Sequence, residues 1–168
     1  RVAVWVDPAV TDTDRSDAHG IQADGLGPDG TIYRLFSWEA RTSPRDVLRR
    51  AIVKAVECGA DHVGVETDQG GDTWRDTYEA AARDLLAEPG ALPAGARIPR
   101  FKQDKAGSGH GPKAERASRM LADYERGQIV HVTGTHETLE RALRRFPKTK
   151  PFDLVDASYW AWRELRGD

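Results

Sequence analysis

The chain of 168 residues is poor in several things, and each lack closes off a class of function. It has a single cysteine, which excludes a disulfide framework and a cysteine-rich zinc site. That residue, Cys58, falls on the apolar side of a helix end, where a thiol is an inert packing group. No apolar run is long enough to span a membrane, and no secretory signal is present. No internal repeat or low-complexity tract appears. The formal net charge is only −2, so the bulk balance does not announce a nucleic-acid binder. The length suits one domain, residues 1–168, with a proper core and no need of staples. The chain opens without Met and in mid-strand, and is therefore expected to be a domain cut from a longer protein.

Charge is distributed less evenly than its sum suggests. Asp7 to Asp24 holds five aspartates and one arginine; Arg97 to Arg119 holds seven Lys/Arg against two acids; Arg141 to Lys150 holds five Lys/Arg and no acid. Each stretch alone reads as a solvated surface. An acidic centre with basic flanks is also what a metal-dependent nuclease requires: carboxylates for cations, and cations for phosphates.

The opening stretch, Arg1 to Val6, is an almost unbroken apolar run. Without alternation, it reads as a strand buried on both faces at the centre of a sheet. It stops at Asp7-Pro8, which places a carboxylate at the lip of the core, where α/β sheets carry their sites. Gly20 to Leu26 and Thr31 to Trp38 read as a hairpin turned at Gly27-Pro28-Asp29-Gly30. Alternation in the second of these strands is imperfect at Leu35 and Phe36. Ser43-Pro44-Arg45-Asp46 opens a helix with a serine cap and a proline in the first turn, and Gly59 ends it. His62 to Glu66 is a second buried strand ending in an acid. The intervening helix makes it parallel to the first strand, so Asp7 and Glu66 are expected at the same end of the sheet.

A helix from about Thr73 to Glu88 follows, with Trp74, Tyr78, Ala81, Ala82 and Leu85 inward. Arg97 to Gln103 reads as a basic strand, and the glycine-rich loop to Gly111, which holds His110, as a mobile segment. Pro112 starts a helix with Ala114, Ala117, Leu121 and Tyr124 inward and Lys113, Arg116 and Arg119 as a basic outer stripe. A short strand spans Gln128 to Thr133 and a helix Thr135 to Phe146. The last helix, about Phe152 to Arg166, packs Leu154, Ser158, Ala161, Trp162 and Leu165 on the sheet. Trp160 and Trp162 read as core. Asp153 and Asp156 share a face at its start, where the helix dipole alone would favour acids. The fold class is thus α/β: a mixed sheet with an antiparallel opening meander and added parallel strands, flanked by helices.

Asp7, Glu66, Asp153 and Asp156 together suit hard divalent cations such as Mg²⁺ or Mn²⁺, which take oxygen ligands. Two such ions clamp the attacking and leaving oxygens of a phosphodiester. In this order, the elements resemble the ribonuclease H-like fold, and within it the C-terminal nuclease domain of the large terminase subunit of tailed bacteriophages. The resemblance rests on Val4-Trp5-Val6-Asp7-Pro8, Asp17-Ala18-His19-Gly20-Ile21, Ala60 to Glu66 with Gln69-Gly70-Gly71-Asp72, Gly111 to Ala117, and Asp153-Leu154-Val155-Asp156-Ala157 with Trp160-Ala161. It implies that Asp7, Glu66 and one or both of Asp153 and Asp156 bind the catalytic metals. Asp17 is an accessory acid, with Asp12 and Asp14 behind it.

The resemblance further implies cleavage of packaged double-stranded DNA to a 3′-hydroxyl and a 5′-phosphate, in the cytoplasm of an infected bacterial host. An ATPase motor would precede the chain, with the small terminase subunit and portal as partners. No G-x-x-x-x-G-K-S/T phosphate loop is present, so these residues are not expected to hydrolyse ATP. Arg100, Lys102, Lys105, Lys113 and Arg116 are expected on the DNA backbone, with sequence preference slight because the contacts are to phosphate. Two alternatives stand beside this reading: another ribonuclease H-like nuclease of junction-resolvase or transposase type, and a non-catalytic nucleic-acid-binding module of the same fold.

Overall fold

The computed structural model describes residues 1–8, 18–67, 71–105, 112–148 and 153–167, and of residues 71, 113 and 153 the backbone alone. Six strands and five helices follow one another as β1 (Val2–Asp7), β2 (His19–Leu26), β3 (Ile32–Ala40), α1 (Pro44–Cys58), β4 (His62–Glu66), α2 (Gly71–Ala87), β5 (Arg100–Asp104), α3 (Lys113–Glu125), β6 (Ile129–His131), α4 (Glu137–Arg145) and α5 (Asp153–Arg166). The strands form one sheet in the order β5-β4-β1-β2-β3-β6. β1 is therefore interior, antiparallel to β2 and parallel to β4. That position accounts for its unbroken apolar run, since both of its faces are covered. β5 extends the sheet parallel to β4, and β6 lies parallel to β3 at the far edge.

Local signals explain where the early elements start and stop. Ser43 accepts a hydrogen bond from the Asp46 amide at 3.1 Å, and Pro44 fills the first helical turn of α1. Gly59 closes the helix at φ 73°, a left-handed conformation that side chains resist.

Two cores sandwich the sheet. On one side Val4, Val6, Ile21, Ala23, Val63 and Val65 pack against α1 and α2. On the other, Ala3, Trp5 and Ile32 meet Ala117 and Met120 of α3 and the aromatic face of α5. α1 buries Val47, Leu48, Ala51, Ile52 and Ala55, and the expected inward faces of α2 and α5 are the observed ones, with Trp160 and Trp162 in the core. Cys58 packs partly buried against the first core, and burial pushes its thiol up from the ordinary range.

The inward face of α3 differs from the expected one. Ala114 is exposed and Leu121 half-buried, while Arg116, Ala117, Met120 and Asp123 are buried. The face is rotated because two charged residues are held inside by partners from distant elements. Asp123 accepts from Trp162 Nε1 at 2.7 Å and from Arg166 Nε at 2.8 Å. Hydrophobic periodicity has no means of anticipating charged residues at inward positions.

The second core also contains a polar network. The β2–β3 register shifts between Ala23 and Asp24: Ala23 faces Phe36 but Asp24 faces Arg34, leaving Leu35 as the extra residue of a bulge. Without it, Arg34 and Phe36 would point the same way. With it, Phe36 stays on the α1 side and Arg34 turns inward to pair with Asp24, both side chains fully buried. Arg34 also donates to the Ser158 carbonyl at 2.9 Å and to the Tyr124 hydroxyl at 3.1 Å. Gln22 donates to Asp24 at 2.7 Å and accepts from Ser37, which lies 2.8 Å from His136 Nδ1. Burial holds His136 below the ordinary histidine range and thus neutral. The bulge explains the broken alternation at Leu35 and Phe36.

Candidate metal centre

β1 and β4 run in parallel register, with Val6 opposite Val65. The next residue on each strand is an acid, so Asp7 and Glu66 emerge side by side at one end of the sheet. Asp156 reaches the same point from the first turns of α5. One ligand oxygen from each of the three carboxylates lies within 4.8 Å of the other two, and all three residues are buried: Asp7 and Asp156 are 3% exposed, Glu66 5%.

The layer directly below explains why the three acids meet. Trp5 lies two residues before Asp7 on the same face of β1, and Trp160 lies one helical turn after Asp156. Their rings stack with centroids 5.4 Å apart and an interplanar angle of 23°. This contact fixes α5 on β1, and with it the separation of Asp156 from Asp7. Space for Trp5 is made by Gly64, two residues before Glu66. A Cβ at Gly64 would lie 2.3 Å from the Trp5 ring. Gly64→Ala is accordingly expected to displace the ring and lower stability by about 1–3 kcal/mol, read as a shifted urea midpoint. An unchanged midpoint would show that the layer tolerates the methyl.

Three buried carboxylates this close repel unless a cation compensates them. Arg116 does so in part. It is 3% exposed, and its Nη2 donates to both oxygens of Asp156 at 3.0 and 2.9 Å, while Nη1 lies 3.5 Å from Glu66 Oε1. Its guanidinium also lies 5.7 Å from the Trp160 ring centroid and 5.8 Å from that of Tyr159. This corrects the expected place of Arg116 on an outer basic stripe: the residue sits inside the acidic centre, because the acids hold it there. Its signal in the sequence was its spacing with Ala117, Met120 and Asp123 on one helical face.

Other expected positions are distributed around this centre. Arg100, Lys102 and Lys105 are exposed, and the Lys102 amine lies 3.8 Å from Glu164. Asp104 lies across from Glu66 in the β4–β5 register and pairs with Arg163 at 2.9 Å. Asp153 opens α5, but its side chain, like that of Lys113, lies outside the described residues, as do Asp12, Asp14, Asp17 and His110 in full. Among the described residues, Asp7, Glu66 and Asp156 form the one cluster suited to a metal ion.

No known family profile and no curated protein matches the chain. Solved structures do. The human cytomegalovirus terminase nuclease domain superposes with a TM-score of 0.71 at 13% identity, covering 96% of this chain and 81% of that one. The nuclease domain of the large terminase subunit gp2 of bacterial virus Sf6 gives 0.61 at 14%, covering 95% and 86%; mutant forms of it are known with manganese and with calcium. The yeast mitochondrial Holliday junction resolvase Ydc2 gives 0.56 at 9%, covering 98% and 78%. The expected fold class is thus borne out: the chain has the ribonuclease H-like fold, in the arrangement shared by these terminase nuclease domains and resolvases.

Proposed function

We propose that this chain is a divalent-metal-dependent DNA endonuclease, and that it serves as the nuclease part of a DNA-packaging terminase of a tailed bacteriophage. The observation that carries the reading is the convergence of Asp7, Glu66 and Asp156 at one buried point. Three carboxylates face one guanidinium there, so the described groups leave an excess of negative charge. The donor atoms are all oxygens, which fits Mg²⁺ or Mn²⁺ and disfavours softer metals. Asp7, Glu66 and Asp156 would hold the ions, two by the reading of the fold, with Asp153 and Asp17 as further ligands.

Divalent cations held there supply charge neutralisation at a phosphodiester and activation of a water. The protein's own part is positional. The β1 and β4 backbones fix Asp7 and Glu66, the tryptophan stack fixes Asp156, and burial keeps bulk solvent from the carboxylates. Asp104 of β5 is level with Glu66, so exposed Lys105 lies just past that level, and exposed Lys102 and Arg100 lie two and four residues before Asp104 along the same sheet edge. They would meet DNA phosphates, with Lys113 from the start of α3. Contacts of that kind position a duplex without reading its sequence. An ATPase motor in the same protein, the small subunit and the portal belong to the same proposal.

The reading is tested on supercoiled plasmid. Nicking and linearisation are expected with Mn²⁺ or Mg²⁺ and none with EDTA; failure of the folded protein to cut with either metal would overturn it. The likeness to Ydc2 supports a second reading, that of a junction resolvase. Preference for a four-way junction over linear duplex of the same sequence would favour that reading.

A further inference from the structure

We infer that Arg116 is a built-in counter-cation that competes with metal for Glu66 and Asp156, so that loading the centre requires its guanidinium to leave those oxygens. The inference rests on the metal-centre reading above and adds a device that governs its occupancy.

Two features of the geometry carry it. First, Arg116 engages both oxygens of Asp156 and approaches Glu66, two of the three carboxylates that would ligate a cation. A carboxylate oxygen directed at an N–H is not free to direct the same lone pair at a metal. Second, the guanidinium is only partly satisfied where it lies. Arg116 Nε is buried and has no hydrogen-bond partner among the described residues. A buried arginine with an unmet donor loses less on leaving than a fully bonded one. The Trp160 and Tyr159 rings at 5.7 and 5.8 Å give the cation a second attraction that does not use the carboxylates.

The consequences are opposite for the empty and the loaded centre. Without metal, Arg116 offsets repulsion among the acids and supports the packing of α3 and α5 on the sheet. With metal, it is displaced and becomes a free cation beside the point where a phosphate would lie. Metal affinity is therefore set below what three carboxylates alone would give.

The experiment compares the wild-type domain with Arg116→Met and Arg116→Lys, by calorimetric titration with Mn²⁺ and by melting in EDTA and in saturating Mn²⁺. Arg116→Met is expected to bind Mn²⁺ at least about tenfold more tightly, to melt lower in EDTA, and to gain more from Mn²⁺ than the wild type. Arg116→Lys, which keeps the charge but not the two-pronged donation, is expected to fall between them. Folded Arg116→Met with equal or weaker affinity would overturn competition. If Arg116→Met does not fold, the wild type decides alone. Arginine side-chain ¹⁵N spectra, assigned by the signal lost in Arg116→Lys, should show Arg116 shifting and its guanidinium rotating faster on Mg²⁺ saturation. An Arg116 signal unmoved at saturation would overturn the inference. If neither wild type nor variant binds either metal, it is the metal-centre reading that fails.

Discussion

Asp7→Asn is expected to remove plasmid cleavage almost completely while making the metal-free protein harder to melt. The loss should be on the order of 10³-fold, the scale for deleting one preorganised electrostatic group at a reacting centre. The stability gain follows from the same charge. Asp7 is buried within 4.8 Å of two other carboxylates, and Arg116 pairs with those two. An amide in its place removes like-charge repulsion worth about 1 kcal/mol or more at the effective dielectric of protein sites. In saturating Mg²⁺ the order should reverse, because the wild type gains binding energy that the variant has lost. Glu66→Gln should behave similarly in cleavage, with a smaller gain in stability because it also loses its approach to Arg116. Nicking rates together with melts in EDTA and in Mg²⁺ separate these effects. Cleavage by Asp7→Asn within tenfold of wild type would sink the site assignment, whatever the melts show.

Arg34→Met is expected to be the most destabilising single change outside that centre. Both members of the Arg34–Asp24 pair are fully buried, and the guanidinium also serves the Ser158 carbonyl and the Tyr124 hydroxyl. Removing it leaves a carboxylate in the core with Gln22 as its remaining partner. Breaking such a pair costs about 3–5 kcal/mol, or roughly 6–20 °C in melting temperature for a domain of this size. Adding Asp24→Asn should return part of the loss, because the penalty lies in the stranded charge rather than in the missing bond. Urea unfolding of the single and double variants measures this directly. A loss below about 1 kcal/mol in Arg34→Met, or a double variant no better than the single, would show that the pair is not the keystone of that core.

The contrast between what could and could not be read in advance has a physical pattern. The opening strand, the hairpin at Gly27 to Gly30, the Ser43-Pro44 start and the Gly59 stop were legible because each signal is local: a few adjacent residues determine backbone conformation. The parallel pairing of β1 and β4 followed from the helix between them. The meeting of Asp7 and Glu66 followed from that pairing. Arg116 was illegible as a partner of the acids because its reason for facing inward lies 40 residues further on, at Asp156. The Asp24–Arg34 pair was hidden for a different reason. A single bulged residue, Leu35, reverses which face Arg34 takes, and alternation counted along the strand cannot register that. Gly64 in mid-strand was a signal available to be used: a glycine there commonly marks a close approach, here by Trp5.

The tryptophan stack carries a consequence for the timing of biosynthesis. Trp5 and Trp160 stand near opposite ends of the chain, and Arg1 donates to the Leu165 carbonyl at 2.8 Å. Asp7 and Glu66 emerge from the ribosome well before Asp156, which follows Glu66 by 90 residues. No shorter nascent chain holds all three. The three-carboxylate cluster is therefore complete only once α5 has docked on β1.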